Sequence, residues 1–372
     1  MQHRNPVLSL ILPNRGRSVY LNWTLENLAQ IRDPRVEVII QDNSLPENPP
    51  PLLLEIPFEL NISKIFYSTK KISMTLNWFQ AAQKAKGDWV AFIGSDDGVI
   101  TPNLDKLLDF LEHTSMDFVS THPIFFQYTL PHKGAWADLP KSSDQLWSKE
   151  IKYVSLLAAL FPQFKLDLPV PYNRGVVRRS VLFEYQQEHD DFLGVSPDDF
   201  LGQYISQKIK IGVYLELPVF IHGGSERSNG YHTKNSVPSN RDAEDFLSDA
   251  QKKFKSLLNA YGVTCSFALA YEHYICARSA VGKKDLNSLV DKFFTLWAEL
   301  FCSDRSHHKQ ISLGTNFALL GPGLHRTTHR ALRKIFSYMN FGRCQPIQNS
   351  KISQGHDSNV VKISNSFAPI EP

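Results

Sequence analysis

The chain has 372 residues, of which 42% are hydrophobic and 21% charged, as in an ordinary globular protein. Its net charge of +3 is too small to indicate binding to nucleic acid, and no apolar run approaches the roughly 18 residues of a membrane span. The four cysteines lack metal or disulfide spacing, so we expect a cytoplasmic protein, with the inner face of the membrane as a further site.

Apolar runs alternate with helical patterns in the N-terminal part of the chain. Strands are predicted at 7–12, 36–40, 64–67 and 89–93, and helices at 21–31 and 75–85. Strands separated by helices are typical of a parallel sheet that is covered on both faces. We therefore predict an α/β fold with a mostly parallel, Rossmann-like sheet flanked by helices.

The second part of the chain changes from mixed patterns to helical ones. Strands are predicted at 117–120, 170–177 and 211–221, and helices at 104–111 and 192–207. The aromatic-rich segment 121–147 between them is predicted to be an irregular substrate loop. We predict one domain over 1–239, a helical appendage over 240–340 that supports homodimer formation or peripheral membrane association, and a polar, disordered tail over 341–372.

Polar residues follow three of the predicted strands, at the point where each strand ends. They are Pro13-Asn14-Arg15, Asp42-Asn43 and the glycine-flanked pair Asp96-Asp97. Carboxyl ends of parallel strands form one edge of a sheet, which is the usual ligand crevice of open α/β sheets. Carboxylate oxygens suit Mg²⁺ and Mn²⁺, so Asp96 and Asp97 are candidates to hold a cation and a diphosphate. A surface Asp-Asp-Gly turn is the alternative.

The order and approximate spacing of these motifs resemble those of family 2 glycosyltransferases, which have the GT-A fold. The resemblance covers roughly residues 5–230 and includes the helix with Asn77 that leads into the Asp96-Asp97 turn. The family commonly has an acid where Gly94 or Ser95 stands, so only Asp96 and Asp97 carry the metal motif here. The resemblance implies inverting, Mn²⁺- or Mg²⁺-assisted transfer from a nucleoside diphosphate sugar to a glycan or lipid-linked glycan hydroxyl.

The resemblance also implies roles for the residues of the crevice. Those expected to bind the nucleotide sugar are Pro13, Asn14, Arg15, Asp42, Asn43, Asn77, Asp96 and, from a glycine-rich segment, Arg227. Asp97 is the favoured metal ligand, with Asp96 facing the ribose or a metal-bound water, although the residues alone leave this order open. His222 follows a predicted strand and is expected to complete the metal site, with a structural loop histidine as the alternative.

An acid pair early in a late helix is the position at which family members carry the general base. Ser196-Pro197-Asp198-Asp199 matches it, because Ser196 can cap a helix and Pro197 suits the first turn. The base removes the proton of the acceptor hydroxyl as its oxygen attacks. Asp199 is favoured for this role, with Asp198 beside it. The alternative is that both acids only complement the helix N-terminus.

Two other functions share such a nucleotide-binding core. A sugar-phosphate nucleotidyltransferase needs a glycine-rich signature after the first strand, but Pro13 to Arg17 contains one glycine. A non-catalytic nucleotide-sugar-binding module is the second alternative, with Gly94 and Pro197 as signs of decay. The presence of both aspartate pairs argues against that module.

Overall fold

The structure is a computed structural model, and it describes residues 5–16, 18–44, 62–68, 70–127, 146–150, 155, 158–159, 168–209, 211–224, 266–283 and 345–346. The strands are β1 (Leu8–Asn14), β2 (Val36–Asp42), β3 (Ile62–Tyr67), β4 (Trp89–Phe92), β5 (Gly98–Val99), β6 (Phe118–Gln127), β7 (Leu146–Glu150), β8 (Gly175–Arg178), β9 (Ile211–Gly224) and β10 (Gln345–Pro346). The helices are α1 (Ser18–Leu28), α2 (Met74–Ala82), α3 (Thr101–His113), α4 (Arg179–Glu188), α5 (Pro197–Lys208) and α6 (Ser266–Ala280).

One sheet contains all of these strands, in the order β10-β7-β9-β6-β8-β4-β1-β2-β3, with β5 paired to β9. Strands β3, β2, β1 and β4 are mutually parallel. Strand β8 runs antiparallel to both β4 and β6, and β6 is parallel to β9. Strands β4, β6 and β9 therefore point the same way, and their carboxyl ends lie at the same edge as those of β1 and β2. The predicted α/β class is confirmed, and its parallel part is the N-terminal half of a mixed sheet.

Helices cover both faces of the sheet because successive strand residues point to opposite sides. Leu10 and Leu12 of β1 pack with α1 and α3, whereas Ile11 between them packs with α2, α4 and α5. Almost every residue of β1, β2 and β4 is buried, as expected of central strands in a covered parallel sheet. Each such buried side chain stabilises the fold by about 1.5–3 kcal/mol.

Several elements differ from those that the sequence predicts. Residues 121–127 are not irregular but form the second half of β6, and 146–150 form β7. Strand β9 continues through His222 to Gly224, where a loop was predicted, because β5 and β6 both pair with it. The strand predicted from residue 170 begins only at Gly175. Strand β5 and helix α4 were not predicted.

Helix α6 is the described part of the predicted helical appendage, and it packs against α5. Tyr274 and Ala277 are buried, and Gln207 Nε2 of α5 donates to Tyr274 O at 3.3 Å. The rest of 240–340, and all of 341–372 except Gln345–Pro346, lie outside the described residues, so the domain boundaries stay predictions. None of the helices in the described ranges combines the length and apolar character needed to cross a membrane.

Candidate active site

The carboxyl ends of β1 and β2 are joined by a side-chain hydrogen bond. Asn14 Nδ2 donates to Asp42 Oδ1 at 3.0 Å, and the same oxygen accepts from Ser44 N at 3.0 Å and from Ser44 Oγ at 2.6 Å. The other oxygens, Asn14 Oδ1 and Asp42 Oδ2, are buried and have no hydrogen-bond partner within the described part of the chain. Buried acceptors without partners are costly, so these two are candidates to accept N–H or O–H groups of a ligand.

Asn77 of α2 contributes a third buried acceptor at this edge. Its Nδ2 lies 3.5 Å from Asn14 O and 3.4 Å from Gln41 O, and its Oδ1 lacks a partner among the residues described. The predicted neighbours Pro13 and Arg15 lie here as well. Pro13 is the penultimate residue of β1, and Arg15 is partly buried directly after the strand. Three unpartnered oxygens thus converge from β1, β2 and α2.

Asn43 has a structural task at the same edge. Its Nδ2 donates to Ile72 O at 2.7 Å, and its Oδ1 accepts from Ile72 N at 3.2 Å. Both ends of the amide therefore hold the segment that leads into α2, whose cap is Ser73. Asn43 positions the predicted nucleotide site, and its side chain already has two protein partners.

Helix α1 holds the turn that carries Asp96 and Asp97. Thr24 Oγ1 lies 2.9 Å from Ser95 O and 2.8 Å from Asp97 O, within reach of both carbonyls. Asn27 accepts from Val99 N at 2.7 Å and donates to Val99 O at 3.1 Å. The turn is therefore fixed at both ends by buried or partly buried hydrogen bonds.

The carboxylate of Asp97 accepts hydrogen bonds from other groups of the protein. Oδ1 accepts from Gly223 N at 2.8 Å, Oδ2 accepts from Gly94 N, and the Tyr172 hydroxyl donates to the same carboxylate. Burial, followed by the charge of Asp96, raises the pKa of Asp97 to about 8. Asp97 therefore ties the turn to β9 and to Tyr172. Asp96, which is 2% exposed, becomes the better candidate for direct contact with a cation.

Position 94 has no room for a side chain. A Cβ on Gly94 would lie 2.7 Å from Asp97 Oδ2, 2.7 Å from Tyr172 Oη and 3.0 Å from Asp96 Oδ1. An acid at this position would displace Tyr172 or Asp97. The departure from the family pattern noted in the sequence therefore has a structural counterpart, because the Tyr172 hydroxyl occupies the space.

Strand β9 brings His222 next to this turn. Its neighbour Ile221 pairs with Gly98, and its Nδ1 is in hydrogen-bond contact with the side-chain amide of Asn173. The ring centroid lies 6.1 Å from that of Tyr172. Asn173 has the unusual φ of +56°, which Asn tolerates better than most residues, and its Oδ1 has no partner in the described segments. Rotation of the amide would let Oδ1 accept from Nδ1–H and leave Nε2 as a metal-binding lone pair.

The described residues include two candidate ligands for a metal ion, Asp96 and His222. Within these ranges, no group of three or more His, Cys, Asp or Glu side chains is arranged to hold a cation. Asp96 and His222 are hard or borderline ligands at one sheet edge, which suits Mg²⁺ or Mn²⁺ if phosphate oxygens supply further ligands. The donor set fits a cation that arrives with a diphosphate.

The second acid pair begins α5, as the sequence predicts. Asp198 and Asp199 lie in its first turn, and Ser196 holds the N-cap position. Ser196 Oγ donates to Asp198 Oδ1 and makes no side-chain cap to the helix. Burial raises the pKa of both acids, with the Asp199 charge adding to the rise for Asp198 and the Arg174 charge opposing it for Asp199. Desolvation thus outweighs the lowering expected at a helix N-terminus.

The hydroxyl of Tyr172 is affected by charges from both acid pairs. Burial raises its pKa well above 10, and the charges of Asp97, Asp96 and Asp198 raise it further. These carboxylates therefore lie close enough to interact with one phenol. The crevice thus contains both acid pairs and His222, whereas Arg227 lies outside the described residues.

The sequence analysis missed four residues of this site. Tyr172 and Asn173 were assigned to a strand, although the nearby Pro171 and Gly175 are turn signals. Thr24 and His273 carry no local signal, because each acts on a segment distant in sequence. The missed residues are Thr24, Tyr172, Asn173 and His273.

Comparisons with known proteins agree with the expected family. Residues 9–152 match the model of glycosyl transferase family 2. An uncharacterized glycosyltransferase of Haemophilus influenzae is 25% identical over 163 residues, which are 43% of this chain and 60% of that relative, so less than two thirds of its length is matched.

Among solved structures, S. aureus TarS 1–349 in complex with UDP-GlcNAc has a TM-score of 0.49 at 15% identity, covering 83% of this chain and 77% of that TarS chain. The TarS complex with UDP has a TM-score of 0.47 at 14% identity, covering 83% and 76%. The match to glycosyl transferase family 2 thus covers the part of the chain that carries Asn14, Asp42 and the Asp96-Asp97 turn.

Proposed function

We propose that the chain transfers a sugar from a nucleoside diphosphate sugar to a hydroxyl acceptor with inversion, the acceptor being a glycan or lipid-linked glycan. The observation that carries this proposal is the hydrogen-bonded cluster of Asp97, Tyr172 and Gly223, which lies beside Asp96 at the edge where β1 and β2 also end. The match to the family 2 model covers the first three polar strand ends and supports this proposal. The acid pair of α5 lies beyond the matched residues, so its role rests on geometry and on the resemblance.

The nucleotide is expected to bind where Asn14, Asp42 and Asn77 present acceptors. A base or ribose offers N–H and O–H donors that would satisfy these buried oxygens, whose burial otherwise opposes folding. Arg15, directly after β1, is the nearest predicted cation for the phosphates. The site thus favours a ligand with both hydrogen-bond donors and negative charge.

A divalent cation would stabilise the charge that develops on the departing diphosphate. Asp96 is the proposed direct ligand and His222 the second, which revises the preference for Asp97 drawn from sequence. Asp97 instead keeps the turn in place through Gly94 and Gly223. Mn²⁺ and Mg²⁺ both suit such a donor set.

Asp199 is the proposed general base. It takes the proton of the acceptor hydroxyl while that oxygen forms a bond to the anomeric carbon, and the nucleoside diphosphate leaves with the electron pair of the broken bond. The raised pKa of Asp199 makes it a stronger base than a solvated aspartate. Asp198, held by Ser196, positions the start of α5 or an acceptor hydroxyl.

Nucleotide binding and turnover test this function together. Thermal shift with UDP, GDP, dTDP and CMP, each with and without Mn²⁺, should identify one nucleotide that raises Tm. That nucleotide is expected to be UDP, GDP or dTDP, and its sugar conjugate should then be hydrolysed or transferred slowly with release of the nucleoside diphosphate. Asp42→Asn should weaken binding of that nucleotide about tenfold, the effect of one lost charge-assisted hydrogen bond, while Asp33→Asn at the opposite sheet edge serves as the control.

Three outcomes would contradict the proposal. Conversion of the nucleotide sugar and added pyrophosphate to a nucleoside triphosphate and a sugar phosphate would indicate a nucleotidyltransferase. Binding without any turnover would indicate a non-catalytic module. Absence of a Tm shift with every nucleotide would remove the donor site itself.

A further inference from the structure

Helix α6 contributes a buried histidine to the loop before α5. His273 is 1% exposed, and its Nε2 lies 3.1 Å from Val195 N and 3.0 Å from Ser196 N. A backbone N–H can only donate, so Nε2 must carry a lone pair and the imidazole proton resides on Nδ1. One side chain thus accepts two consecutive backbone hydrogen bonds from a segment 77 residues away.

The loop is shaped around this imidazole. Gly194 has a φ of +92°, and a Cβ there would lie 2.5 Å from His273 Cδ2. A residue other than glycine would be strained by the backbone angle and would collide with the ring. The imidazole of His273 therefore packs directly against Gly194, in addition to its hydrogen bonds with the next two residues.

The same loop holds both acids of the proposed catalytic pair. Ser196, whose N–H is bound by His273, donates its hydroxyl to Asp198, and its side-chain hydrogen bond also favours the charged form of Asp199. The charge of Asp198 in turn acts on His273. A continuous chain of contacts therefore runs from α6 through Ser196 to the first turn of α5.

We propose that His273 is a positioning residue for sugar transfer: it fixes Ser196, and through Ser196 the Asp198-Asp199 pair, without touching substrate. This proposal rests on the proposed function. It assigns α6, from the predicted helical appendage, a task in the active site. If the His273 contact were lost, the proposed general base would be misaligned, while the nucleotide site at β1 and β2 would stay intact.

Two substitutions of His273 separate positioning from bulk packing. His273→Gln places an amide near the former Nε2, where its oxygen can accept the same N–H groups, whereas His273→Leu keeps volume without an acceptor. Tyr274→Leu is the matched control, because Tyr274 is buried on the same helix and its carbonyl accepts from Gln207, near the end of α5 rather than at its start. Steady-state kinetics give kcat and the donor KM, and hydrogen exchange of the segment 193–200 reports on the loop directly.

His273→Leu should lower kcat at least tenfold and up to about 10²-fold, the effect of a misplacement near 1 Å, with donor KM within about threefold of wild type. Exchange of 193–200 should accelerate in this variant. His273→Gln should restore kcat to within about threefold, and Tyr274→Leu should lower Tm without slowing kcat tenfold. Normal kcat in His273→Leu, or an equal loss in Tyr274→Leu, would overturn the positioning role. If wild-type protein transfers no sugar, the proposed function fails, and unchanged exchange in His273→Leu would independently refute the contact.

Discussion

The hydroxyl of Tyr172 and the carboxylate of Asp97 meet above the Cα of Gly94. This packing leaves Asp96 as the acid of the pair that is not used by Gly94 N and Gly223 N. Adjacent residues of one motif therefore have different tasks, one holding the turn and the other proposed to face the cation. Their roles follow from hydrogen-bond partners that are distant in sequence.

Gly94→Ala should destabilise the fold because its Cβ would lie 2.7 Å from Tyr172 Oη and from Asp97 Oδ2. Overpacking of this kind costs about 1–3 kcal/mol. Tyr172→Phe removes one of the two clashing oxygens, so the double variant should be more stable than the sum of the single effects by about 0.5 kcal/mol or more. Urea unfolding of the four proteins measures this coupling. Strict additivity would show that Tyr172 does not occupy the space at position 94.

At the level of elements, long-range pairing decides where the active-site residues lie. The short strand β5 pairs with β9 and so places His222 and Gly223 beside the Asp96-Asp97 turn. Likewise α6 reaches the start of α5 through His273. Each contact joins segments more than 70 residues apart.

The stability contributed by the His273 contact should depend on pH. Burial lowers the pKa of His273 from 6.5 to about 4, although the Asp198 charge opposes this shift. The folded state therefore binds the proton less well than the unfolded chain, and this stability is present above pH 6.5 and lost as pH falls towards 4. The loss is on the order of 3 kcal/mol for a shift of this size.

The free energies of unfolding of wild-type protein and His273→Gln should therefore approach each other as pH falls from 7 to 4.5. The wild type loses the contribution of His273 over this range, whereas glutamine does not titrate. Comparison of the two cancels the opposite contributions of Asp97 and Asp199, whose pKa values are raised by causes that do not include His273. Urea unfolding at several pH values gives the difference. A difference that stays constant over this range would mean that His273 is not buried in its neutral form.

The sequence predicts the local features of the site well. Apolar runs mark β1, β2 and β4 and predict that Asn14, Asp42 and Asp96 lie at one edge, and the parallel pairing of these strands confirms that placement. Ser196-Pro197 marked the start of α5. The division of labour between Asp96 and Asp97, and the contribution of His273, could not be predicted, because they depend on contacts with β9 and α6 that leave no local pattern.

At the scale of the whole molecule, one sheet edge collects groups from both halves of the chain. The region that matches the family 2 model supplies the proposed nucleotide-binding strand ends and the Asp96-Asp97 turn. The later strands and helices add His222 and the acid pair of α5. The proposed donor binding and the proposed proton removal therefore lie on different elements, and substitutions should affect one without the other.

The most direct test of this account pairs nucleotide affinity with transfer rate in Asp199→Asn, with Asp198→Asn as the matched variant. Asparagine keeps the shape of Asp199 but cannot accept the acceptor proton at neutral pH. Calorimetry should show nucleotide Kd within about twofold of wild type, since the proposed nucleotide site lies at β1 and β2, while the transfer rate should fall roughly 10²–10⁴-fold. Asp198→Asn should lower the transfer rate less than Asp199→Asn does. Two results would contradict Asp199 as the general base. One is a transfer rate that falls less than tenfold in both variants, and the other is an inactive Asp198→Asn variant together with a normally active Asp199→Asn variant.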